Sequence, residues 1–560
     1  MSKIFLEAKK LLRERIKKAL DCINKERLNC PDFFIEVPVN REHGELSTNV
    51  ALVCARTFKT SPLDIAKKIV KNISLGGSDF DFCEIAGPGF INFKFNANFW
   101  GNILQDIVKN DAYYGRSDFG KNKKVMVEFV SANPTGPMHL GNARGGSFGD
   151  CLASVLDIAG YNVYKEFYVN DAGNQIEKFS QSLEARYLQN FLGEESVLFP
   201  EDGYKGKDIT VLAKKFADIF GEKYVNVESS IRKKALIDFV LPQNIKKMKE
   251  DLKKYRIEFD NWFYESELYK NSEIEQTIKD LKAQKATYEK DGVLWAKASS
   301  FNCEKDKVLI RENGIPTYFT ADIAYHRNKF LKRNFDICVN IWGADHHGHI
   351  ARMKGAMDAL GISSSKLEIV VVQIVKLVKN GKTVRMSKRT GETIGLIDLL
   401  EEVNVNEARF FFNILKANSQ LDFDLDLAKK RASINPVYYV QYAHARICSV
   451  LRKSYFKIED LKKLEAKDLK NLCSRSEKEL IFCLASYTQE IIDASKNFDP
   501  SSVTKYVIKV ATLFHKFYTT CRIENEDKSL AKARLHLCLS TKIVIKNILN
   551  MFKIDVPESM

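Results

Sequence analysis

The stretch VEFVSANPTGPMHLGNARGG, residues 127–146, decides how the chain is read. Its first residues end an apolar run, VMVEFV (125–130), the pattern of a strand covered on both faces of a parallel sheet. A turn-rich loop follows, and then SFGDCLASVLDIAG (147–160), spaced as a helix. A second strand pattern, NVYKEFYVND (162–171), completes a βαβ unit of the expected length. Gly136, Gly141, Gly145 and Gly146 let backbone amides approach a ligand closely, and the start of the following helix favours an anion. His139 is placed to donate to phosphate oxygens as charge moves during a displacement. Taken alone, the loop reads more readily as a glycine-rich βα turn with one incidental histidine.

Outward from this unit the organisation is legible in outline. Residues 180–290 are charged and helical and read as an insertion. Apolar strand patterns resume at Val308–Arg311, Ile337–Trp342 and Leu367–Val375, so the sheet is expected to be split around the insert. Beyond about residue 400 every long segment has helical period, as in NPVYYVQYAHARICSVLRK (435–453), which predicts a helix bundle. Residues 1–110 read as a small α+β unit, with helices expected near 3–27, 47–58 and 62–72 and a strand at GPGFINFKF. The expected domains are 1–112, 113–400 and 401–560.

Composition narrows the class. The chain has 560 residues, 45% hydrophobic and 28% charged, an ordinary globular balance that excludes disordered, collagen-like and coiled-coil classes. No stretch approaches the roughly 18 apolar residues of a membrane span. The net charge of +15 is spread along the chain, which suits a long polyanion touching several domains or simply a basic proteome. The 12 cysteines form no C-x-x-C pair, so a structural zinc site is not expected and a reducing cytoplasm fits best. The N-terminus MSKIFLEAKKLLRERIKKAL has no apolar signal core, and Glu7 and Glu14 argue against a transit peptide.

A second motif, VRMSKRTGE (384–392), follows a turn at Val378–Gly381 and gathers Arg385, Lys388 and Arg389. Such a segment can neutralise a leaving pyrophosphate; by itself it also reads as a solvated basic loop. WGADHHGHI (342–350) clusters Asp345, His346, His347 and His349 at the end of an apolar strand, where open α/β sheets bind ligands; a metal site is the weaker reading.

Together, HLGN and RMSKR in this order resemble the HIGH and KMSKS motifs of class I aminoacyl-tRNA synthetases. Asn142 stands for the second histidine, and Arg385 for the first lysine, keeping the charge but making it planar. The resemblance narrows to the arginyl-tRNA synthetase family: VEFVSANPTGPMHLGNARGG looks like its active-site entry, YVNDAGNQI (168–176) like its next block, NPVYYVQYAHARI (435–447) like its anticodon-domain hallmark, and the final VPESM like its usual ending. VNREHGELSTNVAL (39–52) is similar to its N-terminal, tRNA-elbow-contacting domain.

The resemblance implies a Rossmann-like α/β catalytic domain with a helical insertion, an N-terminal α+β domain and an all-α anticodon-binding domain. It implies ligation of L-arginine to tRNA(Arg) through an arginyl-adenylate, with ATP used as its Mg2+ complex, no structural metal, no membrane partner, a monomer in the cytoplasm, and arginine activation that depends on tRNA. Catalysis falls on His139, Asn142, Arg385 and Lys388. ATP contacts fall on Thr135, Gly136, His139, Gly141, Asn142, Gly343, Asp345, His346, Met386, Ser387 and Lys388. The arginine pocket falls on Glu128, Asn133, Tyr318, Asp322 and His346. For Glu128 a strand-end salt bridge, and for Asp322 a helix cap, are the competing readings. Tyr438, Gln441, Tyr442 and Arg446 are expected at the tRNA; part of that set is equally consistent with bundle core.

Overall fold

The computed structural model describes residues 3–560 apart from 25, 27, 39–43, 302, 385–393 and 525. Its centre is a five-stranded parallel sheet. The apolar run at the head of the opening motif forms β1 (Lys124–Glu128), and the loop after it enters helix α1 (Leu140–Ile158). β2 (Asn162–Val169), β3 (Asn261–Tyr264), helix α2 (Tyr318–Arg327), β4 (Ile337–Gly343) and β5 (Leu367–Val372) follow. The strand order is β5-β4-β1-β2-β3. The chain runs outward from β1 to β3, then crosses back to lay β4 on the other side of β1. The connections therefore diverge between β1 and β4, and a crevice opens at their carboxyl ends.

Three expectations about strands need revision. The segment read as mostly helical contains β3, whose four residues, NWFY, are too short to show a period. The insertion proper is three helices, Asn174–Leu192, Lys207–Phe220 and Ser229–Lys254, with their own core around Phe179, Tyr187, Phe216 and Leu236. The pattern at Val308–Arg311 does form a strand, Lys307–Ile310, but it joins Thr287–Lys290 and Val293–Ala296 in a separate antiparallel sheet. The run Leu367–Val375 breaks at Gln373. β5 ends there, and β6 (Val375–Lys379) opens another sheet with β7 (Lys382–Val384) and β8 (Leu421–Asp424). Asn380 and Gly381, with φ of 52° and 68°, make the two-residue β6–β7 turn, a geometry that Asn-Gly supplies readily.

The N-terminal unit packs Lys3–Ile23, Val50–Phe58, Pro62–Asn72 and Ala97–Asn110 against a four-stranded antiparallel sheet. Ser47 and Thr48 lie in one of its strands, Leu46–Thr48, and Thr48 Oγ1 accepts from the amide of Val50, the first residue of the next helix, at 3.3 Å. The C-terminal unit is helical and includes α3 (Pro436–Lys453), α4 (Ser501–Thr520) and α5 (Lys528–Met551). Among the described residues no helix is long and apolar enough to cross a membrane.

α1 joins these parts. It is buried without interruption from Ala143 to Ala153, so the glycines that weaken it as an isolated helix serve close packing instead. A Cβ on Gly149 would come within 2.4 Å of the Phe129 ring. From the middle of α1, the fully buried Asp150 receives Arg409 at 2.6 Å, Lys553 at 2.8 Å and Lys165 at 3.3 Å. Burial opposes ionisation of Asp150, but the three cations outweigh it and hold the carboxyl below its usual range. Stability from a lowered carboxyl pKa is present at neutral pH and lost as pH falls through that lowered value. Asp150→Asn, which strands these cations, is expected to cost about 3–5 kcal/mol in urea denaturation at pH 7, with the difference from wild type shrinking in acid.

Candidate active site at the sheet crevice

At the crevice the sequence folds into a helix start built for donors. His139 caps α1: its Nδ1 accepts from the backbone amides of Gly141 (3.1 Å) and Asn142 (3.4 Å). In return the Asn142 side-chain oxygen accepts from the His139 backbone amide at 3.0 Å. This reciprocal pair satisfies helix-end donors as a capping box does. It also fixes both side chains. With Nδ1 and Oδ1 engaged, the outward groups are His139 Nε2 and the two Asn142 N–H donors. The walls of the crevice desolvate the His139 ring enough to lower its pKa, although the ring still reaches solvent and Asp345 pulls the other way.

The remaining nucleotide-side residues surround this helix start. Thr135 is buried, Gly136 is half-buried, and Gly141 is exposed. Asn244, from the insertion, holds the loop by donating to the Pro134 carbonyl at 2.9 Å. Gly343 ends β4, where a Cβ would meet Asp345 Oδ1 at 2.5 Å. Asp345 and His346 are exposed and 3.4 Å apart. Arg385, Met386, Ser387 and Lys388 lie outside the described residues.

The acidic residues at the strand ends fall into two kinds. Glu128 and Glu166, on β1 and β2, are neutralised from within. Lys329, itself fully buried, reaches Glu128 at 2.6 Å, and Ser131 donates to its other oxygen at 3.0 Å. Arg333 grips Glu166 through both terminal nitrogens, at 2.5 and 2.9 Å. Glu128 thus takes the strand-end salt bridge that the sequence left open, at the edge of the pocket. Asn133 is exposed on the loop beyond it.

Asp322 and Glu265 form the second kind. Tyr318 and Asp322 stand one turn apart on α2, whose cap is Thr317; the cap reading of Asp322 does not hold. The turn into the helix comes before Tyr318 rather than between the two residues. Among the described residues the Asp322 carboxylate pairs with His349, at 3.1 Å, and its side chain is 40% exposed. Glu265, just after β3, is 2% exposed, and its Oε1 has no hydrogen-bond partner. Burial pushes the Glu265 carboxyl up to about 7, with Asp322 and Asp171 adding to the rise. Tyr168 and Tyr269 stand beside it. No lysine or arginine pairs with either acid among the described residues. Sequence reading missed Glu265, which sits in the YESEL segment (264–268) with no motif around it; only the fold brings it opposite Asp322.

On α3 the expected tRNA group separates. Tyr438 and Tyr442 stack with ring centres 6.2 Å apart, His515 of α4 stacks on Tyr442 at 5.9 Å, and Arg446 lies over Tyr442 and Tyr518. These rings are half-exposed. Gln441 is buried, and its amide donates to the Asp555 carbonyl at 2.9 Å. It pins the C-terminal tail, so the bundle-core reading applies to it.

A helix start of uncharged donors at the divergence of a parallel sheet, with a helical insert and a helical C-terminal unit, defines the class I aminoacyl-tRNA synthetase architecture. Three family models match the chain along nearly its whole length: the arginyl-tRNA synthetase N-terminal domain at 7–95, the class I (R) synthetase catalytic domain at 103–448, and the DALR anticodon-binding domain at 440–560. The chain belongs to the arginyl-tRNA synthetase family. It is 51% identical to an arginine–tRNA ligase of Caldanaerobacter subterraneus over 100% of both chains. It is also 51% identical to one of Ruminiclostridium cellulolyticum over 98% of this chain and 99% of that one. The Thermus thermophilus arginyl-tRNA synthetase structure shares the fold, with a TM-score of 0.74 over 99% of this chain and 100% of that one at 18% identity.

Proposed function

We propose a division of labour for this ligase in which the α1 end of the crevice handles phosphate and the Asp322–Glu265 end holds arginine. As an arginine–tRNA ligase it works in two steps. An oxygen of the arginine carboxylate attacks the α-phosphorus of ATP, supplied as its magnesium complex, and pyrophosphate leaves. A hydroxyl of the tRNA 3′-terminal ribose then attacks the adenylate carbonyl, and AMP leaves. No side-chain nucleophile is needed; catalysis is positioning and stabilisation of charge.

The observation that carries this reading is the unpaired acid pair. A carboxylate oxygen buried without a donor is costly, and two carboxylates facing one another without a cation are costlier. Both costs fall when a guanidinium enters, because its planar fork donates to two carboxylates at once. Asp322 and Glu265 are therefore the guanidinium anchors, Tyr318 lines the mouth, and Glu128 and Asn133 border the α-amino end. Asn142 donates to the α-phosphate through its free N–H groups, and His139 donates from Nε2 as a neutral ring. Arg385 and Lys388 carry the charge that the departing pyrophosphate requires. Tyr438, Tyr442 and Arg446 form the stacking row for unpaired tRNA bases.

ATP–pyrophosphate exchange with arginine tests the reading: exchange is expected in the presence of cognate tRNA and little without it. Asn142→Ala should lower turnover by about 10²-fold while leaving the KM for arginine nearly unchanged. Asp322→Asn should cost about 1.5–3 kcal/mol, roughly 10- to 150-fold in kcat/KM for arginine, with ATP affinity retained. If it charges tRNA at wild-type efficiency, the pocket lies elsewhere.

Glu265 adds a pH signature. A cation selects the ionised carboxyl, so kcat/KM for arginine should fall as pH drops through about 7, the value to which the group is raised. The expected loss between pH 7 and pH 6 is about fivefold. Glu265→Gln should lower arginine use and flatten that limb; an unchanged profile in the variant removes Glu265 from the pocket.

A further inference from the structure

Arg144, two residues past Asn142 on α1, is fully buried and charged, yet no carboxylate pairs with it among the described residues. Its guanidinium donates instead to two backbone carbonyls from different segments, Gln373 at 2.8 Å and Lys416 at 3.0 Å. Gln373 is the break between β5 and β6, the point where the chain leaves the central sheet for the β6–β7 hairpin. The Lys416 segment is joined to the same point: Gln373 donates to the Ala417 carbonyl at 2.9 Å, and Leu421 to the Ile374 carbonyl at 3.3 Å. Arg144 therefore grips the root of the hairpin that leads to Val384.

The chain on the far side of residues 385–393 returns to the same place. Leu396 donates to the Met138 carbonyl at 2.9 Å, and Gly395 bridges His139. A Cβ on Gly395 would meet the Met138 carbonyl oxygen at 2.9 Å, so the approach is close. Both flanks of the 385–393 segment are thus fastened to the first turns of α1, which also carry His139 and Asn142. A buried guanidinium held only by carbonyl dipoles is an expensive tether, since burial of a cation without an anion is strongly disfavoured. An aliphatic side chain would fill the space without that cost, but it could not fix two carbonyls in one plane.

We propose that Arg144 is a positioning residue for ATP use: by clamping Gln373 and Lys416, it sets the distance between the donors at the start of α1 and the hairpin that leads into VRMSKR. It touches no substrate. Lysine keeps the charge but replaces the planar fork with a single rotatable ammonium, so it does not hold the two carbonyls at the fixed separation that the guanidinium sets. The proposal rests on α1 being the phosphate end of the site; Asn142→Ala tests that reading separately, because Asn142 faces the crevice and Arg144 does not.

The experiment is ATP–pyrophosphate exchange with tRNA present, for Arg144→Lys and Arg144→Met, varying ATP at saturating arginine and then arginine at saturating ATP, with thermal unfolding followed alongside. In the folded variants, the KM for ATP is expected to rise about tenfold or more, since small misplacements of reacting groups carry large penalties. The KM for arginine should stay within about twofold of wild type. An unchanged ATP KM in folded Arg144→Lys overturns the proposal, and so does an equal rise in both constants, which marks general distortion. Should neither variant fold, Gly395→Ala loosens the same junction from the other flank. An ATP-selective rise there supports the clamp, and wild-type kinetics overturn it.

Discussion

One buried carboxylate organises the molecule. Asp150 projects from the first crossover helix and meets cations from three places: Lys165 on the adjacent strand, Arg409 from the helix Val405–Phe412, and Lys553 just after α5. Arg409 also donates to the Phe552 and Tyr255 carbonyls, at 2.7 and 3.2 Å. Desolvating four charges is costly, and an apolar cluster of equal volume could be as stable or more so. What the ionic cluster provides is uniqueness, because its geometry closes in only one register of α1, the sheet and the C-terminal helices. Gly149 makes the same demand sterically, since only a bare backbone fits against Phe129. The start of α1 is consequently held at a fixed place over the crevice.

With the scaffold fixed, the charges around the crevice can be sorted by whether the protein answers them itself. Glu128 and Glu166 are answered by Lys329 and Arg333, and both belong to the frame. The pairing runs further, because Lys329 also reaches Asn340 at 3.1 Å and Asn340 contacts His326 at 2.7 Å. Each carboxylate of this network is met by a cation of the protein itself. Asp322, met by His349, and Glu265 have no lysine or arginine partner among the described residues. The contrast between acids with and without a lysine or arginine partner, rather than acidity as such, is what supports the proposed place for a cationic substrate.

Much of this was legible in the sequence, and the failures have physical causes. The βαβ unit, β4, β5 and the helical C-terminal half carry strong periods or long apolar runs, and they appear where expected. β3 was hidden because four residues cannot establish a period. Lys307–Ile310 showed its strand character but not its sheet, because partner choice is a tertiary property. Of the site residues, His139 and Asn142 follow from a contiguous motif, and the structure adds only the direction of their free groups. Glu265 had no local signal, since its meaning comes from burial opposite Asp322. Gln441 looked the same as its exposed neighbours in sequence; only the C-terminal tail lying across α3 shows that its amide is occupied.

The capping arrangement at α1 has a consequence for charge in the crevice. His139 is held toward neutrality and Asn142 is an amide, so the helix end offers donors and its dipole but no full positive charge. A triphosphate brings several negative charges, and the acids at the other end of the crevice deepen the local negative potential. Uncharged donors can orient the α-phosphate without holding the leaving pyrophosphate so tightly that release becomes slow. The proposed function assigns the compensating cations to another part of the chain, Arg385, Lys388 and Arg389, which follow hairpin β6–β7 in sequence. Substituting Arg385 for a lysine suits that distribution, because a guanidinium keeps its charge in any environment and binds phosphate through a fixed fork. In the proposed function, orientation and charge are carried by two different segments of the chain. Among the described residues, Gly395 and Leu396 meet the chain at His139 and Met138, so the precision of the start of α1 bears on how well the two act together.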